Sequence, residues 1–429
     1  MVAKLFEIAG SLLLLIVLGG ISLFSYEPEV YVRQDFRDQL FQVQAIDTMK
    51  YSRDLARERA RDPNFDKVIE RQMGLIVGAG ATHVAIGTPY DEEFIPFMKL
   101  WVESARAHGL SVWFRGNFSG WERWFNYSRI GREEHRKKLA NLINKYPELF
   151  RDGDIFTPCH ECENGGPGDP RNTADKAGYR IFLIDEFTDS RSAFDAMGKK
   201  VTLVASMNGD IAQEVMDRAT AQALKGIVID HYTKRANVFG EDISDIRKRL
   251  GIDIGLGEFG APIPDINGEM NEAEQAKFVR SLLRELYIKS ETIPYVNYWV
   301  LEGGSTALVE RDRAKAAYVA VKDYYTARAV SGIIVDPLGS AVGDVTISIP
   351  DLDFKTRANS GGQFQVFLPG NIHTVKFEKT GYETEAVDFS SEAGATTTKN
   401  IVLTPSDQNF LYKFKTMLYL RLGKSPIDF

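Results

Sequence analysis

At 429 residues the chain exceeds the usual length of one domain, so two domains are the first expectation. A hydrophobic content of 44% with 26% charged residues places it among ordinary globular proteins. A net charge of −7 without any Lys/Arg-rich stripe excludes nucleic acid as the main partner, and two cysteines, Cys159 and Cys162, are too few for a disulfide framework.

Residues 8–24 read IAGSLLLLIVLGGISLF, uncharged and mostly apolar, behind Lys4 and Glu7. The length lies between a signal-peptide core and a full membrane span. No small-x-small cleavage site follows and no cysteine is near for lipid attachment. Residues 1–30 are therefore expected to form an uncleaved transmembrane signal anchor, which would leave the remaining chain membrane-bound and extracytoplasmic. A cleaved signal peptide would instead leave it secreted.

From residue 40 strand-like and helix-like segments alternate eight times. The strands read FQVQAID (41–47), THVAIGT (82–88), LSVWFRG (110–116), DIFTPCHE (154–161), KVTLVAS (200–206), GIVIDHY (226–232), IDIGLGE (252–258) and YVNYWVL (295–301). Between them lie amphipathic stretches such as 65–77, 94–108 and 271–288, and 312–328 supplies a last helix. Strands alternating with helices imply a parallel sheet, and eight repeats over 40–328 imply an α/β fold closed as a (β/α)8 barrel. A doubly wound open sheet is the alternative, but no glycine-rich phosphate loop follows the first strand.

After Arg328 helical periodicity stops. Residues 330–404 hold short alternating runs such as GIIVD, DVTISI, GQFQVFL and HTVKFE, the pattern of a small antiparallel β-sandwich. Gly332, Asp336, Gly339, Val345, Gly361-Gly362-Gln363-Phe364, Leu368-Pro369-Gly370 and Gly381-Tyr382 make this segment similar to the carboxypeptidase-regulatory-like, transthyretin-like module. The resemblance implies an accessory domain without catalysis of its own. The amphipathic tail 405–429 carries Phe410, Leu411, Phe414, Met417, Leu418 and Leu420 at helical spacing, as for a helix docked on its own domain or an anchor to a membrane or partner.

Two stretches concentrate the chemistry. IDIGLGEFGAP (252–262) runs as a buried strand into a loop and delivers one carboxylate, Glu258, at the strand's end. DIFTPCHECENGG (154–166) delivers Glu161 and Glu163 in the same way. The carboxyl ends of barrel strands are where such folds keep their catalysts, and one acid on each of two ends is the minimum for glycosidic-bond chemistry. A helix-capping role for Glu258 is the plainer alternative. Arg115, ending SVWFRG, either keeps a nearby carboxylate ionised or belongs to a structural ion pair. Trp113, Trp121 and Trp124 are either a wall for sugar rings or a hydrophobic cluster under a loop. Asn117 and Asn126 begin glycosylation sequons.

Over residues 40–328, with Gly257-Glu258-Phe259-Gly260 at the seventh strand, the chain resembles the clan-A retaining glycoside hydrolases, the cellulase-like group. The resemblance implies Glu258 as nucleophile and Glu161 as acid/base, with Glu163 the alternative. His160 stands where the clan has Asn and would contact the sugar hydroxyl beside the reacting carbon. Trp299 in NYWVLEGG matches the clan's strand-eight Trp, the floor of the cleavage subsite, though a core aromatic would look the same. Tyr232 resembles the Tyr that holds the nucleophile, in a Asp230-His231-Tyr232 sequence where the clan has His-x-Tyr. The activity implied is hydrolysis of a carbohydrate with retention. Transglycosylation and an inert carbohydrate-binding barrel are the rivals, the latter kept open by His160. Neither cofactor nor metal is expected, since Cys159-His160-Glu161-Cys162 has no second ligand group at a metal site's spacing.

Overall fold

The structure, a computed structural model, describes residues 36–370, 372–390, 396–406 and 409–421. The expected anchor at 1–30 lies outside these residues. Among the described residues no helix is long and apolar enough to cross a membrane.

Eight strands with parallel pairing form the centre: β1 (Val43–Asp47), β2 (His83–Ile86), β3 (Ser111–Phe114), β4 (Ile155–Phe156), β5 in two pieces (Thr202–Leu203 and Ala205–Asn208), β6 (Ile227–Asp230), β7 (Ile254–Phe259) and β8 (Tyr295–Tyr298). The first piece of β5 pairs with β4 and the second with β6. Val204 between them donates its N–H to Phe156 O, and Ala205 donates to Gly226 O, so one segment passes its bonds from one neighbour to the other. The ring closes there. Val204 packs with Val43, Ala45, Ala85, Trp113, Ile155 and Val228 in the barrel's interior.

The fourth strand is far shorter than 154–161. Thr157 N still bonds Phe114 O, but Pro158 has no N–H to continue the ladder. Residues beyond it form a loop and a 3-10 turn, Cys162–Asn164.

Among the described residues, eight helices of seven residues or more surround the ring: α1 (Phe65–Gly78), α2 (Ile95–Ala107), α3 (Arg132–Lys145), α4 (Lys176–Ala196), α5 (Arg218–Leu224), α6 (Ala236–Leu250), α7 (Glu272–Ile288) and α8 (Ala316–Tyr325). In α7 the sequence NEAE builds a capping box, with Asn271 and Glu274 each accepting from the other's backbone N–H. Its Val279, Leu282, Leu283 and Leu286 recur at helical spacing and are buried. The expected helix over 312–328 is shorter because its first residues form a small hairpin, Val309–Glu310 with Arg313–Ala314.

Two four-stranded sheets follow. β9 (Arg328–Val335) pairs antiparallel with β12 (Gln363–Leu368) and parallel with β15 (Thr397–Thr398) and β16 (Ile401–Val402). The other sheet runs β11 (Phe354–Arg357), β10 (Thr346–Ile349), β13 (His373–Glu378), β14 (Glu385–Phe389), all antiparallel. Residues in β13 alternate buried and exposed, and Phe364 meets Phe377 edge-on at 5.2 Å between the sheets. The helix Phe410–Arg421 leaves Phe414, Met417 and Leu418 exposed, so these three are not docked on the sandwich.

Candidate active site

Glu258 owes its direction to a register shift. Ile254 and Leu256 on β7 belong to the layer between barrel and helices, and strict alternation would send Glu258 after them. Against β6, however, Leu256 pairs with Ile229 while Glu258 pairs with Asp230, so Gly257 is one residue over. A side chain on Gly257 would collide with Asp230 and Arg115. The glycine therefore admits those two groups beneath it, and the shift turns Glu258 into the barrel mouth.

Arg115 is the hub. It is wholly buried at the end of β3, two residues above Trp113. Its Nη2 lies 3.1 Å from Asp230 Oδ1 and 3.1 Å from Glu258 Oε1, its Nε lies 3.6 Å from Asp47 Oδ2, and its Nη1 donates to Gly257 O. Arg115 is thus no sugar contact, because it is wholly enclosed by three carboxylates, a backbone carbonyl and His160. Asp47 is also bonded by Met49 N and by Asn297 Nδ2. Burial pushes Asp47 up to about 6 and Glu258 up to about 7 against the opposing pull of Arg115, and raises Asp230 well above the usual range. Tyr232 O–H donates to Glu258 Oε2 at 2.9 Å.

His160 stands between the acids. Arg115 Nη2 approaches His160 Nδ1 at 3.1 Å and can only donate, so the imidazole proton is on Nε2. Burial, then Arg115, hold the ring well below its ordinary pKa, hence neutral. That Nε2 is buried without a hydrogen-bond partner among the described residues. It lies 3.9 Å from Glu161 Oε2 and 3.6 Å from Glu258 Oε1.

Glu161 sits on a loop rather than in a strand, in the left-handed conformation (φ 45°). Cys159 and Cys162 on either side of His160-Glu161 are joined as a disulfide. Asn117 Nδ2 donates to His160 O at 2.7 Å, and Asn117 Oδ1 is held by His135 Nε2, whose Nδ1 meets Glu186. Burial, then the Glu163 charge, raise the Glu161 carboxyl.

Glu163 does not face the same way as Glu161, because strand alternation ends before it. It accepts from Tyr179 O–H at 2.9 Å and from Asn208 N and Nδ2, so its oxygens are occupied. Trp113 is not a subsite wall: it is fully buried in the barrel interior, with Nε1 donating to Thr157 Oγ1. Trp121 is buried as well, whereas Trp124 is 57% exposed. Trp299 is half-buried at the end of β8, edge-on to Tyr232 at 6.4 Å. Asn117, the first sequon asparagine, is buried and bonded, which excludes a glycan there. Arg53, Asp47, Asp230 and Asn297 also line or support this mouth. Asp47 and Asp230 close β1 and β6, Asn297 lies within β8, and Arg53 lies in the turn after β1.

His160, Glu161 and Asp230 bring ligand-type atoms within 4.8 Å of one another. Arg115 already stands 3.1 Å from both His160 and Asp230, where a cation would have to sit. His135 with Cys159 and Cys162 forms a second such group, but its sulfurs are bonded to each other.

No protein-family model matches the sequence, and no curated protein does. Among solved structures the chain is similar to a GH5 xyloglucan-specific β-1,4-glucanase from a ruminal metagenomic library, with 12% identity, TM-score 0.49, and coverage of 66% of this chain and 93% of that one. It is also similar to a β-glucuronidase from Ruminococcus gnavus, with 14% identity, TM-score 0.43, and coverage of 60% and 46%. A β-glucuronidase of Bacteroides uniformis gives 10% identity, TM-score 0.45, and coverage of 79% and 44%. The chain thus spans less than half the length of these two glucuronidases.

Proposed function

We propose that the barrel is a glycoside hydrolase that works with retention, Glu258 being the nucleophile and Glu161 the acid/base. The observation that carries this reading is the shared neighbour of the two acids. Both carboxylates lie within 4 Å of one His160 nitrogen, 3.9 Å and 3.6 Å away. Their separation is therefore at most those two distances laid end to end, inside the roughly 9.5 Å beyond which an acid pair no longer serves one glycosidic bond.

Glu258 attacks the anomeric carbon as Glu161 gives its proton to the departing oxygen. Water then displaces Glu258 while Glu161 takes the water's proton. Arg115 and Tyr232 both favour the ionised Glu258 that attack requires. The neutral Nε2–H of His160, unpartnered and beside both acids, is placed to donate to a sugar hydroxyl. The disulfide beside Glu161 suits an exported protein, and in this reading the N-terminal segment anchors the enzyme outside the cytoplasm while the sandwich is an accessory domain.

The test is kinetic. Glu258→Ala is expected to lose several orders of magnitude on every glycoside. Glu161→Ala is expected to lose far more on poor leaving groups than on activated aryl glycosides, with azide restoring turnover and yielding an azide of unchanged anomeric configuration. Wild type that binds oligosaccharides without cleaving any would identify an inert carbohydrate-binding barrel, and an inverted first product would remove the covalent step.

A further inference from the structure

We propose that the loop after β1 supplies an anionic subsite, in which Arg53 binds the carboxylate of an acidic sugar. This deepens the glycosidase reading and rests on it.

Arg53 lies in the turn Lys50–Asp54, directly beyond the end of β1 and thus at the mouth. Its guanidinium carbon stands 5.2 Å from the centre of the Trp121 ring and 5.6 Å from that of Trp124. Two indoles on the loop after β3 thereby fix its position. The side chain is only 12% exposed. Its one hydrogen bond among the described residues runs from Nε to Asp54 Oδ1 at 2.8 Å, which leaves Nη1 and Nη2 without partners. Neither nitrogen is a buried unpartnered atom, so both open to solvent at the mouth and are free to donate to a bound ligand. Planar bidentate capture of a carboxylate is the geometry those donors match best.

The neighbourhood points the same way. Lys50 Nζ reaches the same counter-ion, Asp54 Oδ2, at 3.2 Å, so two cations share one carboxylate. Lys50 packs on Gly303, in the loop that follows Trp299, and this joins the cationic turn to the loop of the neighbouring strand β8, which carries Trp299. The Arg53 charge acts on His160, Glu161 and Glu258, which places it alongside the reacting groups. Those acids are the competing explanation, because Arg53 could serve only to keep them ionised. Arg115 already does that by direct contact with Glu258, and no hydrogen bond joins Arg53 to either acid. Trp124, exposed beside the guanidinium, offers a face for the ring that carries the carboxylate.

The test uses the full chain and oligomers of galacturonate, glucuronoxylan and alginate, each beside its carboxyl-reduced counterpart, with sulfated galactan oligomers as a further arm. Binding is measured on Glu258→Gln and turnover on wild type. At least one carboxylated oligomer is expected to bind tenfold or more tightly than its reduced form. Arg53→Gln should bring that ratio close to one, Arg53→Lys should keep part of it, and added salt should lower it. Equal binding of both forms, or a preference for sulfate alone, overturns the proposal. So does an Arg53→Gln variant that keeps the ratio while its acid limb shifts upward for every substrate, since Arg53 would then only tune the acids. If neutral oligomers are cleaved without any carboxyl preference, the subsite fails and the glycosidase stands. If no oligomer is bound or cleaved, both fail.

Discussion

Arg115 is one buried cation set against Asp47, Asp230 and Glu258, and the folded state carries the consequence. Asp47 rises from 3.8 to about 6 and Glu258 from 4.5 to about 7 because burial outweighs the guanidinium's pull. The native chain therefore holds protons that the unfolded chain releases between about pH 4 and 7. The stability these groups contribute is full below that window and is lost as pH rises through it. Glu258→Gln removes one of the two charges, so its melting temperature should exceed that of wild type at pH 8 and match it near pH 4. A melting-temperature difference independent of pH would show that Glu258 ionises at its ordinary value. Tyr232→Phe should act in the other direction on activity. Its hydroxyl bonds the Glu258 carboxylate, and bonds to charged groups are worth about 1.5–3 kcal/mol. The variant should lose roughly tenfold to a hundredfold in kcat/KM at pH 6, with the acid limb moved upward and less lost at pH 8. The sequence marks Glu258, Glu161 and Tyr232 because each follows a legible strand. Asp47 closes a legible strand as well, but its role and that of Asn297 arise from a contact across 250 residues.

At the scale of elements, what the sequence left hidden is departure from regularity. Eight apolar runs separated by amphipathic stretches are readable because burial on both faces of a parallel strand demands them. The register shift at Gly257 is not, since a glycine in a strand has several causes. Nor is the loop of His160 and Glu161, where Pro158 cut the strand short and removed the alternation that would have aligned Glu163 with Glu161. That loop is closed by Cys159 and Cys162, a ring so small that chain entropy alone assigns the link only about 2 kcal/mol. Its larger effect is on position, because Glu161 in a left-handed conformation depends on its loop for direction. Cys159→Ala with Cys162→Ala should therefore cost little stability. Its activity on poor leaving groups should fall at least tenfold, with activated aryl glycosides affected less. Equal losses on both would mean that the ring supports the fold of the mouth rather than the aim of Glu161.

At the scale of the molecule, the sandwich is fixed to the end of the barrel away from the chemistry. The site lies at the carboxyl ends of the strands, whereas Tyr287 closes α7 just before β8 begins. Tyr287 O–H donates to Phe367 O, and its ring meets Phe354 at 4.8 Å. On the same side Arg37 and Gln365 exchange two hydrogen bonds, and Arg37 Nη2 reaches Glu291. Removing residues 330–404 would uncover Tyr287, so a truncated barrel tests its own folding as well as the sandwich's part in activity. A single substitution separates the two. Phe354→Ala empties a largely buried aromatic site at this junction, which typically costs about 3 kcal/mol. If barrel and sandwich unfold as one unit, the variant should melt in a single transition at a lower temperature by both fluorescence and calorimetry. If they unfold separately, only the sandwich's transition should move. In either case kcat and KM at 25 °C should match wild type, because no residue of the junction reaches the mouth. A changed KM in the folded variant would show that the sandwich takes part in holding the substrate.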